Sequence, residues 1–178
     1  MIRALEQRAS LEPENLIGAH GPPFSGQQDI KKIIINYRDT LQFLWDQTVR
    51  CANKGLTLNE TINVIKLPRQ FSDHYTTQQL YGLVEHHVRQ IYTGLFGWFD
   101  EDEANLFPVP LPERSQRLVE GFGGKARVRE IIDASLTKND FRWAIELSSW
   151  LVRGNFNDLG IADAGELEDR NRLASALR

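Results

Sequence analysis

Residues 27–54, QQDIKKIIINYRDTLQFLWDQTVRCANK, contain no proline or glycine, and their apolar side chains recur at the three- and four-residue intervals of an α-helix. The recurring positions are Ile30, Ile33, Ile34, Tyr37, Leu41, Leu44, Thr48 and Ala52. Ser25 is the expected N-cap, and Gly55 supplies a left-handed stop. A helix of this length would measure about 40 Å at 1.5 Å per residue. Because a small core cannot cover one whole side of it, we expect part of it to pack on another subunit or domain.

The rest of the chain also carries helical signals. TLNE at 57–60 is a capping box, Thr76 or Thr77 is expected to cap the next helix, and Pro112 is placed to open another. No alternating strand pattern occurs after residue 26. The sequence therefore predicts an all-α, multi-helix protein with a small non-helical head over residues 1–26.

A helical hairpin is predicted over residues 125–152, from two helical patterns joined by Lys-Asn-Asp. Ala134 on its first helix and Ala144 on its second resemble the small residues that let paired helices approach in tetratricopeptide-type repeats. A last helix is expected from about Asp163. Since self-sufficient arrays need about three repeats, we interpret this region as a terminal helical layer.

Composition restricts the class of protein. The 178 residues are 41% hydrophobic and 25% charged, as in an ordinary globular domain, and the net charge of −3 argues against a nucleic-acid partner. No apolar run reaches the roughly 20 residues that span a bilayer, and the first residues lack a signal-peptide pattern, so a cytoplasmic location is the default expectation. The single cysteine, Cys51, excludes an internal disulfide and fits a reducing compartment or a periplasmic protein without disulfides.

His20 lies in a stiff turn, GAHGPPFSG at 18–26, that could hold its imidazole as a metal ligand. A zinc site needs three or more protein ligands, and His74, His86 and His87 form no compact cluster with it in the sequence. His86 and His87 point about 100° apart on a helix and are expected to serve different roles. His20 is therefore either one ligand of a site completed elsewhere or a loop histidine.

Distinctive clusters occur along nearly the whole chain. They are HGPP at 20–23, YRD at 37–39, DQTVR at 46–50, GWFD at 97–100 and DFRWA at 140–144. With them the chain resembles the alkyl sulfatase branch of the metallo-β-lactamase superfamily. The resemblance implies that residues 1–26 are the end of the catalytic domain and that residues 27–178 are the dimerisation domain. Asp102-Glu103-Ala104 departs from the family's usual Asn-Pro-Ala.

The resemblance implies a zinc-dependent family that hydrolyses alkyl sulfate esters. Most of its ligands lie on an H-x-H-x-D-H motif and on acidic residues that this sequence lacks, and His20 matches the last zinc ligand. We assign no catalytic residue and expect this chain alone to bind no zinc and to have no sulfatase activity. The resemblance also implies a homodimer. We expect Leu44 and Trp45 at its interface, and Tyr81 to line an alkyl-chain pocket.

Three functions remain open at this point. The chain could be the assembly module of an alkyl sulfatase, working with a separate catalytic chain or left as a remnant. It could be a subunit whose His20 completes a zinc site supplied by a partner. It could also be a free-standing helical module that binds a peptide or an alkyl chain. The aromatic residues Phe96, Trp98 and Phe99 are expected in the core, although the resemblance implies that this stretch lies near the substrate cleft and the dimer seam. Residues 100–103 are expected in a solvated loop.

Overall fold

The computed structural model describes residues 1–79, 82–154 and 164–177, and the chain divides into two compact units, Met1–Leu106 and Phe107–Arg178. In the described residues, regular structure consists of nine α-helices, one short 3₁₀ helix and one two-stranded sheet. The all-α prediction is confirmed. None of the helices in these residues is long and apolar enough to cross a membrane.

The first unit is built around one long helix. Its elements in chain order are α1 Ile2–Ser10, β1 Asn15–Leu16, β2 Phe24–Ser25, α2 Gln27–Asn53, α3 Leu58–Val64, α4 Arg69–Ser72, α5 Val84–Phe96 and the 3₁₀ helix Glu103–Asn105. Helices α1, α3 and α5 all pack against α2. Strands β1 and β2 are antiparallel, with Asn15 opposite Ser25 and Leu16 opposite Phe24.

The long helix agrees with the prediction to within one residue, but its predicted N-cap is wrong. Gly26, with φ at 100°, is the N-cap, and Ser25 lies in β2, where its hydroxyl donates to Asn15 Oδ1 at 2.8 Å. The head over residues 1–26 is also not wholly non-helical, because α1 precedes the strands. Leu5 of α1 packs with Ile30 and Ile34 of α2, so tertiary contact stabilises a helix with little capping signal of its own.

The capping signals of the next two helices had different outcomes. The capping box is confirmed: Thr57 Oγ1 accepts from the Glu60 N–H at 3.3 Å, and Glu60 Oε2 accepts from the Thr57 N–H at 2.8 Å. The prediction of a Thr76 or Thr77 cap is wrong, because α5 begins later, at Val84. The hydroxyl of Thr77 instead donates to the carbonyl of Phe71.

The second unit surrounds helix α8. Its helices are α6 Leu111–Gly121, α7 Lys125–Thr137, α8 Phe141–Gly154 and α9 Ala164–Ala176. Helices α6, α7 and α9 each pack against α8, and Ala144, Leu147 and Leu151 of α8 are buried in the core. The predicted helix pair is confirmed, but Ala134 is exposed, and it is Ser135 of α7 that is buried. The expectation that Ala134 lies at the helix contact is therefore wrong, since α7 turns the face that carries Ser135 towards α8.

Candidate functional site

A groove on the first unit is lined by residues of α1, α2 and α5. Its volume is about 540 Å³. The residues that line it are Met1, Ile2 and Arg3 from α1 and the position before it, Leu41 and Trp45 from α2, and His87, Gln90, Ile91 and Gly94 from α5. We call it the Trp45 groove. The α-helical spacing of Leu41 and Trp45 brings both onto the same side of α2.

The two predicted interface residues occupy different environments, although they are adjacent in sequence. Leu44 is 2% exposed and packs in the core with Val88 and Tyr92 of α5. Trp45 is 42% exposed and lines the groove. Because the chain's own residues already cover Leu44, Trp45 is the one of the two that can offer apolar surface to a partner. Participation of either residue in an interface stays a prediction.

His87 is the titratable side chain of α5 that borders the groove. Its pKa is lowered from the ordinary value, first because the imidazole is partly buried and second because His86 is close. Gly82 makes room for the ring, since a Cβ at that position would lie 2.7 Å from His87 Nε2. The environment therefore favours the neutral imidazole, and the groove keeps its apolar character at neutral pH.

His20 is exposed and borders a second cavity of the first unit, of about 740 Å³. Apolar side chains from α1, β2 and α2, including Leu5, Phe24 and Ile34, line much of this cavity. Among the residues that the structure describes, no group of three or more histidine, cysteine, aspartate or glutamate side chains could hold a metal ion. One imidazole cannot supply the ligands of a zinc centre, so the described residues do not fit such a centre by themselves.

The predicted pocket residue Tyr81 lies outside the described residues, and its role stays a prediction.

The expectation that Phe96 and Trp98 belong to the core is wrong, since they are 57% and 71% exposed. Gly97, with φ at 89°, ends α5 and turns the chain away from the core. The acidic run 100–103 is mostly exposed, as predicted, and Asp100 Oδ2 accepts from the Asn105 amide at 2.8 Å.

Aromatic residues of the second unit pack on one another. The ring centroids of Trp143 and Trp150 are 5.9 Å apart and nearly perpendicular. Phe122 lies 5.4 Å from Trp150 and 6.1 Å from Trp143. Edge-to-face pairs of this kind stabilise a fold beyond the area they bury.

Sequence reasoning missed the groove, because it is formed by the way α1 and α5 pack on α2. Two signals in the sequence could have indicated it. Ile2 and Leu5 begin a helical spacing before the strands, and Gly94 interrupts an otherwise good helical pattern. A glycine inside a helix commonly marks a place where another group must approach closely.

The profile of the family described as alkyl sulfatase dimerisation matches residues 57–177. The chain belongs to this family. The alkyl sulfatase dimerisation match covers α3 to α9, and thus the α5 wall of the Trp45 groove and all the described helices of the second unit. The resemblance to alkyl sulfatases inferred from the sequence is confirmed.

Curated relatives of this alkyl sulfatase dimerisation chain are named as alkylsulfatases. A linear primary-alkylsulfatase of Pseudomonas sp. (strain ATCC 19151) is 35% identical over 88% of this chain and 30% of its own length. An alkyl/aryl-sulfatase of Saccharomyces cerevisiae is 31% identical over 91% of this chain and 24% of its own length. The chain thus spans less than a third of the length of these relatives.

A solved structure shares the fold. The stereoselective inverting sec-alkylsulfatase Pisa1 from Pseudomonas sp. aligns with 99% of this chain and 27% of its own, at a TM-score of 0.76 and 31% identity. The alkyl sulfatase dimerisation chain therefore corresponds in fold to one part of a larger enzyme.

Proposed function

We propose that this chain acts as the homodimeric assembly module of an alkyl sulfatase-type zinc hydrolase of the metallo-β-lactamase superfamily. The observation that carries the proposal is the match of residues 57–177 to the alkyl sulfatase dimerisation family. The similarity of the whole fold to a sec-alkylsulfatase supports it. The substrates of the complete system would be alkyl sulfate esters, as the names of the relatives indicate.

Within this proposal residues 1–26 correspond to the end of the catalytic domain and residues 27–178 to the dimerisation domain. The β1–β2 pair precedes α2, which supports a change of architecture near residue 26. Helix α1 nevertheless packs on α2 in one compact unit. The proposed boundary therefore separates segments related to two different domains of the family, and residues 1–26 are still part of the first compact unit. The hairpin of α7 and α8 would be the tetratricopeptide-like layer.

His20 would contribute one imidazole to a zinc site whose other ligands come from residues that this sequence lacks. Its exposed position in a turn supports this role, because a partner could reach it. Since the described residues do not fit a zinc centre, the chain alone is expected to leave alkyl sulfates intact.

Two measurements test the proposal. Light scattering after size-exclusion chromatography is expected to give twice the mass of the chain, and a monomer at every concentration would contradict the homodimer. Incubation of the pure chain with zinc and octyl sulfate is expected to release no sulfate. The same assay with an added chain that carries H-x-H-x-D-H is expected to show turnover that His20→Ala abolishes and His74→Ala retains. Turnover by the pure chain would contradict the assembly role.

The cavity beside His20 favours a second candidate function, a free-standing module that binds an alkyl chain. Its volume of about 740 Å³ lies within the usual range for small-molecule pockets, and much of its lining is apolar. Calorimetric titration with octyl sulfate separates the two functions. A monomer that binds the amphiphile would support the binding module, whereas a dimer that does not bind it would support the assembly module.

A further inference from the structure

We propose that the Trp45 groove is the surface where two copies of this chain meet, with Trp45 of each copy entering the groove of the other beside Gly94. The inference rests on the proposed homodimer and adds the contact surface to it. It commits to a second copy as the occupant, because the groove contains both a protruding side chain and a gap that can receive it.

The protruding side chain is Trp45. It is 42% exposed, whereas Leu41 and Leu44 of the same helix are 8% and 2% exposed. Its indole N–H donates no hydrogen bond within the described part of the chain. Tryptophan combines a large apolar area with one donor, and it is enriched among the residues that dominate the energy of protein interfaces. Trp45 therefore offers a partner both apolar surface and an unused hydrogen-bond donor.

The gap lies at Gly94 on α5. No heavy atom lies within 4 Å of the position that a Cβ would take there, so the missing side chain leaves open space in the groove. Glycine within a helix is unfavourable compared with alanine, and its presence in α5 is consistent with a need for that space. Leu41 and Ile91 give the groove apolar surface, and Leu95 adds a 40% exposed apolar side chain one turn after Ile91.

The symmetry of a dimer requires this combination. In a two-fold interface the same patch occurs on both sides, so a patch that meets itself must carry both the protruding group and the gap. The Trp45 groove carries both, and its α5 wall belongs to the part of the chain that matches the dimerisation family.

Charge is also compatible with contact between identical surfaces. A two-fold contact brings groups near its axis close to their own copies, and like charges in contact are unfavourable. Arg3 is the one permanently charged side chain among the described residues that line the groove, and the α-amino group of Met1 is a second cationic group there. The partly buried His87 favours its neutral form, as its lowered pKa indicates. A groove with so little charge can pack against its own copy at neutral pH.

Sedimentation equilibrium of the whole chain and four variants tests the surface. Trp45→Ala removes the protruding group and Gly94→Leu fills the gap, so each is expected to raise the dimer Kd at least about tenfold. Trp98→Ala removes a more exposed indole that does not line the groove. Gly121→Leu adds the same side chain at a helical glycine of α6 that also has open space around it. Both controls are expected to leave Kd unchanged.

The outcomes separate the surface from the dimer itself. A wild-type dimer whose Kd is unaffected by Trp45→Ala and Gly94→Leu would overturn the groove as the contact and leave the homodimer standing. A wild-type monomer at every concentration would overturn both.

Hydrogen exchange of the wild-type chain, measured when dilute and when concentrated, provides a test without substitutions. Dimer formation is expected to protect residues 87–95 and the start of α1. Protection confined to other segments would assign the interface elsewhere and overturn the proposal, whatever the variants do.

Discussion

Each unit has one central helix, α2 in the first and α8 in the second, and the two helices treat their tryptophans differently. Trp143 and Trp150 of α8 pack against each other and against Phe122, so the second unit covers its own indoles in part. Trp45 of α2 is 42% exposed, lines the Trp45 groove and has no ring partner among the described residues. The comparison separates aromatic residues that hold a unit together from one that is available to a partner.

The neighbouring helices explain the difference. Three helices of similar length, α6, α7 and α9, pack around α8 and leave Ala144, Leu147, Ser148 and Leu151 at most 1% exposed. On α2 the covering helices α1 and α5 leave the Trp45 groove, of about 540 Å³, between them. Exposed apolar surface is normal on a monomer, but a groove that concentrates it around a tryptophan is typical of an interaction site.

The largest effect is expected at the ion pair that holds α9 in the second unit. Arg129 donates to both carboxylate oxygens of the fully buried Asp169, at 2.8 and 2.9 Å. Asp169→Ala removes both charge-assisted hydrogen bonds and should destabilise the second unit by about 3–5 kcal/mol, because breaking a buried pair leaves the other charge poorly compensated. Hydrogen exchange in α7 and α9 measures the loss.

The matched control for this pair is Glu168→Ala, whose carboxylate is exposed and lies 3.5 Å from Arg172. A surface pair of this kind contributes at most about 1 kcal/mol. Equal effects of Asp169→Ala and Glu168→Ala would mean that the second unit does not depend on its buried pair.

A somewhat smaller effect is expected from Leu44→Ala, and its neighbour provides the comparison. Leu44 is buried in the core of the first unit, so its truncation should cost about 2–5 kcal/mol of the free energy of unfolding through lost burial and a new cavity. Trp45→Ala should change that free energy less when measured on the monomer, since 42% of Trp45 is already exposed. Urea unfolding at low protein concentration measures both.

The pair of variants also decides how the interface can be studied. Leu44→Asp would put a charge into the core of the first unit, so loss of the dimer in that variant would report unfolding. Trp45 is the position at which association can be changed while the fold is kept. If Leu44→Ala proved harmless and Trp45→Ala unfolded the monomer, the assignment of core and contact residues would have to be reversed.

The sequence predicted the long helix and the α7–α8 pair well, because their apolar periodicity is long and their ends carry recognisable signals. It failed for α1, which has a short apolar pattern and an N-cap, Met1, without a capping side chain. It also failed for Phe96 and Trp98, since aromatic residues are usually buried and only the turn at Gly97 reveals that the chain leaves the core.

The candidate site was predictable only in part. The resemblance indicated that Trp45 would matter at an interface, but periodicity assigned Leu44 and Trp45 no different roles. The difference depends on which helices cover each side of α2, and this is a property of tertiary packing. Likewise, the close approach of Gly82 to the His87 ring depends on the path of the chain before α5, which the sequence pattern does not specify.

The smallest effect is expected from a change of pH, and it concerns the first unit, where His87 borders the Trp45 groove. The pKa of His87 is lowered in the folded chain by burial and by His86. The unfolded state therefore binds more protons than the folded state at pH values below about 6.5, the ordinary pKa of histidine. Stability of the first unit should thus be complete above that pH and should fall as the pH decreases towards the lowered pKa of His87.

Protonated His87 would share the groove with Arg3 and the α-amino group of Met1 and would lie near His86 on its own helix, and none of these can compensate its charge. Dimerisation through the groove should weaken in the same pH range, because each copy would add one positive charge to a contact between identical surfaces. His87→Gln should remove this dependence from both the unfolding free energy and the dimer Kd, whereas His20→Gln, at an exposed turn outside the groove, should retain it. If acid weakened the His87→Gln dimer as much as the wild-type dimer, the titrating charge that opposes association would not be that of His87. The neutral form of His87 would then no longer explain why the groove associates at neutral pH.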